Sequence, residues 1–172
     1  MVLSLALLLG GCALRTPVIK APSPAPVVLA PVHDPLSSQE VRALPDEVVE
    51  RLEAMLMGRD LRPRLLDDTV LQQFTRHRAT PNRLAMLAGD DLVLLVEAEA
   101  EYVSQLNGRM RWAVDVTLSL APPGEAPVTT TFQVTVFLLF IHQDADDAII
   151  DAIPIIERHA SQMLDEYFTS IQ

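Results

Sequence analysis

Leu92-Val93-Leu94-Leu95-Val96-Glu97-Ala98-Glu99-Ala100-Glu101-Tyr102 is the stretch that decides the fold. Its first five residues are an unbroken apolar run, as in a strand covered on both faces. From Glu97 the pattern changes to strict alternation, which marks a strand with one dry and one wet side. Asn107-Gly108 then signals a hairpin. A two-residue type I′ turn would pair Leu106 with Arg109 and carry that spacing back along both strands. Glu97, Glu99 and Glu101 would then share a face with Trp112, Val114 and Val116, and burying carboxylates against apolar side chains is costly. A three-residue loop of Leu106, Asn107 and Gly108, with Gly108 left-handed in a G1 bulge, moves the register by one. Tyr102 then faces Trp112, Ala100 faces Val114 and Ala98 faces Val116, and the carboxylates join Asp115 and Thr117 on the wet side. The bulged turn is therefore the expected one.

The same parity runs on downstream. Thr130, Phe132, Val134, Val136 and Leu138 share one side of the next strand; Thr129, Thr131, Gln133 and Thr135 share the other. Asp144 is placed to cap a long terminal helix whose apolar stripe is Ile149, Ile153, Ile156, Ala160, Met163, Tyr167 and Ile171. Pro154 should kink or divide it near Ile153. Upstream, Val27 to Val32 reads as a short strand, with Pro31 expected at its end or on an edge. Pro45 opens a helix with Val48, Val49, Leu52, Met55 and Leu56 on one face, and Gly58 is its natural stop. Leu61 to Leu66 is a short extended piece broken by Pro63. Two further helices are expected, one capped by Asp67 or Asp68 and carrying Val70, Leu71 and Phe74. The other opens at Thr80-Pro81, carries Leu84, Met86 and Leu87, and ends at Gly89. This order predicts an α+β two-layer sandwich: a mixed sheet of about four to five strands, helices mainly on one face and a long C-terminal helix.

The amino terminus has a different character. Leu5-Ala6-Leu7-Leu8-Leu9-Gly10-Gly11-Cys12 is a short apolar run ending in two glycines and the one cysteine. Val2 to Leu9 is far below the roughly 20 apolar residues of a spanning helix. It suits the apolar core of a signal peptide, although no Lys or Arg precedes it. Residues 13–26 contain Pro17, Pro22, Pro24 and Pro26 and read as an extended linker. At about 3.1 Å per residue it would reach roughly 40 Å. The expected organisation is 1–11 as leader, 12–26 as lipidated cysteine and tether, and 27–172 as one α+β domain.

The stretch ending at Cys12 resembles a bacterial lipobox. That resemblance implies cleavage before Cys12, a diacylglyceryl group on its thiol and a membrane anchor. In lipoproteins an alanine such as Ala13 after the cysteine implies outer-membrane sorting, with the domain facing the periplasm. Val27-to-Val32, a helix, a short strand and then Leu84-Ala85-Met86-Leu87-Ala88-Gly89-Asp90-Asp91-Leu92-Val93-Leu94-Leu95-Val96 is similar to the amino-terminal domain of TolB. It also resembles the curli-secretion and penicillin-binding-protein-activator (LpoB) lipoproteins, over about residues 27–170. The resemblance implies a protein that binds other envelope proteins or builds assemblies, and carries no particular site residue over to this chain.

Composition narrows the function classes. The 172 residues are 49% hydrophobic and 21% charged, enough for a packed core, and the net charge is −10. With Lys20 the only lysine, the chain lacks the basic clusters that nucleic acid or anionic lipid would select. One cysteine excludes a disulfide framework. There is no nucleophile elbow, P-loop or dinucleotide fingerprint. Asp144, Asp146 and Asp147 lack the glycine and distant glutamate of a calcium loop. His33, His77, His142 and His159 have no ligand spacing. No cofactor or metal is therefore expected. The candidate partner-binding residues are Glu97, Glu99, Glu101 and Asp115, an acidic patch across two strands suited to a cation or a basic partner, with Arg109 and Arg111 near the hairpin tip. As a plain structural reading, the carboxylates form a solvated sheet face and the arginines keep the tip soluble. The leading expectation is a non-enzymatic binding or assembly module for an envelope partner. The others are self-assembly into a ring or secretion component, and a hydrolase with an unrecognised site.

Overall fold

A computed structural model describes residues 25–33, 42–67, 70, 84, 87, 90–140 and 142–170, with only the backbone of Leu106. The Cys12 lipobox, most of the tether, His77, Ile171 and most of the two helices expected between 68 and 89 lie outside the described residues.

The elements are β1 (Ala25–His33), β2 (Arg42–Ala43), α1 (Asp46–Met57), β3 (Leu61–Leu65), β4 (Leu92–Leu106), β5 (Arg109–Ala121), β6 (Val128–Leu138) and α2 (Ala145–Ser170). They form an α+β sandwich on a six-stranded sheet of order β2-β1-β4-β5-β6, with β3 also paired to β1. β1 runs parallel to β3 and β4, and the other pairings are antiparallel. The strand beyond the expected four to five is the two-residue β2.

The register expected for the central hairpin is present, with Tyr102 opposite Trp112, Ala100 opposite Val114 and Ala98 opposite Val116. Its cause is different from the one expected. Leu106 does pair with Arg109, and Asn107 and Gly108 both have positive φ, 50° and 78°, as a type I′ turn requires. The extra residue sits between Tyr102 and Ser104, where the register shifts. A bulge at Val103 restores the parity that the tight turn would otherwise invert.

Both prolines expected to limit strands lie inside them. Pro31 is in β1, an interior strand, and faces Val96 of β4. On its other side the β3 ladder ends at Leu29 and the β2 ladder begins at Val32. Pro31 occupies the gap between them, where a missing donor costs least, and its carbonyl accepts from Leu44 N (3.2 Å). Pro63 does not break β3, which continues to Leu65 along the outside of β1. α1 starts one residue later than expected, with Pro45 as its extended N-cap, and Pro45 O accepts from Val48 N and Val49 N. Gly58 ends it in right-handed geometry (φ −63°), and the left-handed residue of the turn is Asp60 (φ 57°).

α2 is one helix through Pro154, which is exposed and does not divide it. Asp144 caps it: its carboxylate accepts from Asp146 N (3.0 Å), while Asp144 N donates to the Asp147 carboxylate (2.9 Å). The reciprocal pair satisfies donors that the first turn leaves unpaired.

α1 and α2 cover one sheet face. Val27, Leu29, Leu94, Val96, Val116 and Leu118 meet Leu52, Leu56, Ile149, Ile153 and Ile156 there in one buried core. Arg51 joins the two helices through a bidentate pair with Glu157 (2.9 and 2.7 Å), whose hydrogen bond and charge raise the Arg51 pKa. A second buried cluster lies on the opposite face. Val28, Ala30, Val32, Val93 and Leu95 pack there beneath Leu84, with Leu66, Val70 and Leu87 against them. This explains the unbroken apolar run at 92–96: alternate residues feed two different cores.

Candidate binding face of the sheet

Beyond that second cluster, the face turned away from α1 and α2 becomes polar. Register aligns it in rows across β4, β5 and β6: Glu97–Thr117–Thr131, Glu99–Asp115–Gln133, Glu101–Ala113–Thr135 and Ser104–Arg111–Phe137. All four candidate carboxylates therefore share one face, with Arg111 in the row after Glu101. Arg109 follows at the exposed tip, opposite Leu106.

Side chains bridge these rows. The Asp115 carboxylate accepts from Gln133 Nε2 (2.8 Å), the Thr117 and Thr131 hydroxyls stand 3.4 Å apart, and those of Ser119 and Thr129 stand 3.0 Å apart. Glu99 lies directly opposite Asp115. Like charges opposite one another in a ladder are destabilising, and the Gln133 amide dipole offsets part of that repulsion.

The expected solvated stripe is not uniform. Glu101 and Asp115 are exposed and Glu99 is half-buried, but Glu97 is only 8% exposed. Glu97 is the first residue of its face beyond Leu95, where the covered patch gives way to the open one, and alternation alone does not reveal that boundary. Among the described residues no group of His, Cys, Asp and Glu side chains is arranged to hold a metal ion. The Asp144 and Asp147 carboxylates are both engaged in the α2 cap.

Sequence reasoning missed a second polar cluster. His33, at the end of β1, is 4% exposed and its Nδ1 accepts from Arg42 Nε of β2 (3.0 Å). Arg42 Nη2 also donates to Asp146 Oδ1 (2.7 Å), and that oxygen lies 3.6 Å from the same imidazole nitrogen. The cluster ties one end of the sheet to the first turn of α2. Of the other histidines, His159 stacks on Phe132 and His142 on Phe140. A solvent-open groove of about 550 Å³ between α1 and β3 is lined by Glu53, Met57, Asp60, Leu61, Arg62 and Pro63, among which there is no Ser, Cys or His.

No protein-family model and no curated protein matches this chain. Solved structures that this chain matches include rare lipoprotein B from Shewanella oneidensis, at 12% identity and TM-score 0.34 over 85% of this chain and 92% of that one. Lipoprotein GNA1162 from Neisseria meningitidis matches at 13% and 0.43, over 83% and 99%. A minor lipoprotein from Acinetobacter baumannii matches at 13% and 0.35, over 80% and 92%. Bacterial lipoproteins stand among the structures this chain is similar to. Among the described residues no helix is long and apolar enough to cross a membrane.

Proposed function

We propose that this chain is a lipid-anchored protein of the bacterial envelope, acylated at Cys12 and sorted to the outer membrane. Its domain faces the periplasm and works by binding another envelope protein rather than by catalysis. The observation that carries the binding role is the contrast between the two sheet faces. One is sealed by α1 and α2, while the other leaves Glu99, Glu101 and Asp115 in aligned rows with Thr and Gln side chains. An acidic, hydrogen-bonding platform suits a partner segment that brings Arg or Lys, and complementary charge of this kind speeds and orients encounter. A Pro-rich tether lets the platform reach such a partner at a distance from the lipid.

A photo-reactive residue in place of Glu101 or Thr117 tests this in living cells. It should capture one defined envelope protein, while the same probe at Glu50 or Asp151 on the helices should not. The capture should weaken in a Glu99→Gln, Glu101→Gln, Asp115→Asn variant and with added salt. Adducts only from the helix positions, or none under any growth condition, would refute the reading.

A further inference from the structure

β6 is the last strand of the sheet, and among the described residues nothing pairs with its outer edge. Soluble proteins guard such an edge with Lys, Pro, a bulge or a very short strand. β6 has none of these. Its eleven residues, Val128-Thr-Thr-Thr-Phe-Gln-Val-Thr-Val-Phe-Leu138, contain no charge, no Pro and no Gly, and register with β5 is regular throughout. Large apolar side chains lie exposed at both ends of this edge: Val128 (56%) at one, Phe137 (44%), Leu139 (59%) and Phe140 (58%) at the other.

We infer that this edge pairs with β6 of a second copy, antiparallel about a two-fold axis through Gln133. That centre is the one register in which all eleven residues find partners. Thr131 then opposes Thr135 of the other copy and Thr129 opposes its Phe137; on the helix-covered face Phe132 opposes Val134. The two-fold also brings Val128 of each copy to the Leu138–Phe140 end of the other, so each exposed apolar end meets its complement. The two six-stranded sheets become one, with both α2 helices on the same side and both acidic faces on the other.

Charge favours this occupant over a charged peptide. No ionisable group of either β6 meets another across the seam. The nearest acidic residues across that face, Asp115 and its twin, are three strand spacings apart, about 14 Å, beyond the roughly 8 Å screening length of physiological salt. Gln133, already bonded to Asp115, stands between them. The two-fold contact is isologous: it uses the β6 edge of both copies at once and so does not propagate through that edge. The inference holds whatever the acidic face binds and wherever the chain is anchored.

The test uses the full chain in mild detergent, with Cys12→Ala so that introduced cysteines are the only thiols. Under gentle oxidation Gln133→Cys should give a disulfide-linked dimer with itself. Thr129→Cys and Phe137→Cys should cross-link to each other in a mixture and not to themselves. Thr131→Lys with Thr135→Lys, both on exposed positions, should abolish the Gln133→Cys dimer and leave a monomer in sedimentation, with an unchanged circular dichroism spectrum. A chain that sediments as a monomer at every concentration would overturn the inference. So would cross-links centred on another residue, dimerisation that survives the paired lysines, or cross-linking at position 133 to a different protein alone.

Discussion

Tyr102 stands opposite Trp112 across the central hairpin, with ring centroids 5.7 Å apart and planes at 75°, and the next residue of its strand, Val103, stands opposite nothing. That unpaired residue lets a tight Asn-Gly turn coexist with a sheet whose carboxylates face outward. Deleting Val103 should leave both the turn and the Tyr102–Trp112 register in place and turn the bulge into regular ladder, changing stability by no more than about 1 kcal/mol. Deleting Ala100, inside the regular ladder, has no such escape. It forces at least one of the glutamates at 97–101 toward the core and should cost at least about 2 kcal/mol. Urea unfolding of the two deletions decides this: equal midpoints would contradict the role given to Val103.

The two glycines at element boundaries should respond differently to alanine. Gly108 is left-handed at φ 78°, so Gly108→Ala should cost about 1–2 kcal/mol although the space beside it is open. Gly58 is right-handed, and a Cβ there would lie 3.4 Å from the Ala54 carbonyl oxygen. Gly58→Ala should stay within about 0.5 kcal/mol of the parent or gain slightly through the unfolded state. Thermal denaturation of both variants is sufficient to see the contrast.

Asp144 and Asp147 satisfy one another's backbone donors at the start of α2. Asp144→Ala should cost about 1 kcal/mol, and Asp144→Asn or Asp144→Ser should restore most of it, since each keeps a side-chain acceptor. Equal losses in all three would point to a role for the charge rather than the cap.

Leu94 and Leu95 are adjacent, point to opposite faces and are both fully buried, Leu94 in the α1–α2 core and Leu95 beneath Leu84 and Leu87. Each change to alanine should cost about 2–5 kcal/mol. A Leu95→Ala loss under about 1 kcal/mol would show that the second cluster does not contribute to stability as the first one does. Hydrogen exchange at Val93 and Leu95 would then report its local opening.

The parity of β4, β5 and β6 is legible in the alternation of Glu97 to Tyr102 and Thr129 to Leu138, because a misplaced register would bury carboxylates. Where the compensating extra residue sits is not legible. A three-residue loop at Leu106–Gly108 and a bulge at Val103 give the same parity at Ala98, Ala100 and Tyr102, and only backbone geometry separates them. Pro31 and Pro63 misled for a related reason: a proline is excluded from a ladder only where its missing donor is needed, and that depends on which neighbour lies on which side. The acidic face could be assembled from spacing, but the burial of Glu97 could not, because alternation does not mark how far along the strand the cluster with Leu66, Val70, Leu84 and Leu87 extends. The His33–Arg42–Asp146 cluster joins positions 104 residues apart, which no local pattern encodes.

The claim that the chain works from a membrane by a lipid on Cys12 is tested most directly by the intact mass of the mature protein from cells fed labelled palmitate. The chain should begin at Cys12, carry label and acyl mass there and partition with membranes, and Cys12→Ala should abolish all three. An unlabelled chain that keeps residues 1–11 and stays in the soluble fraction would contradict the claim.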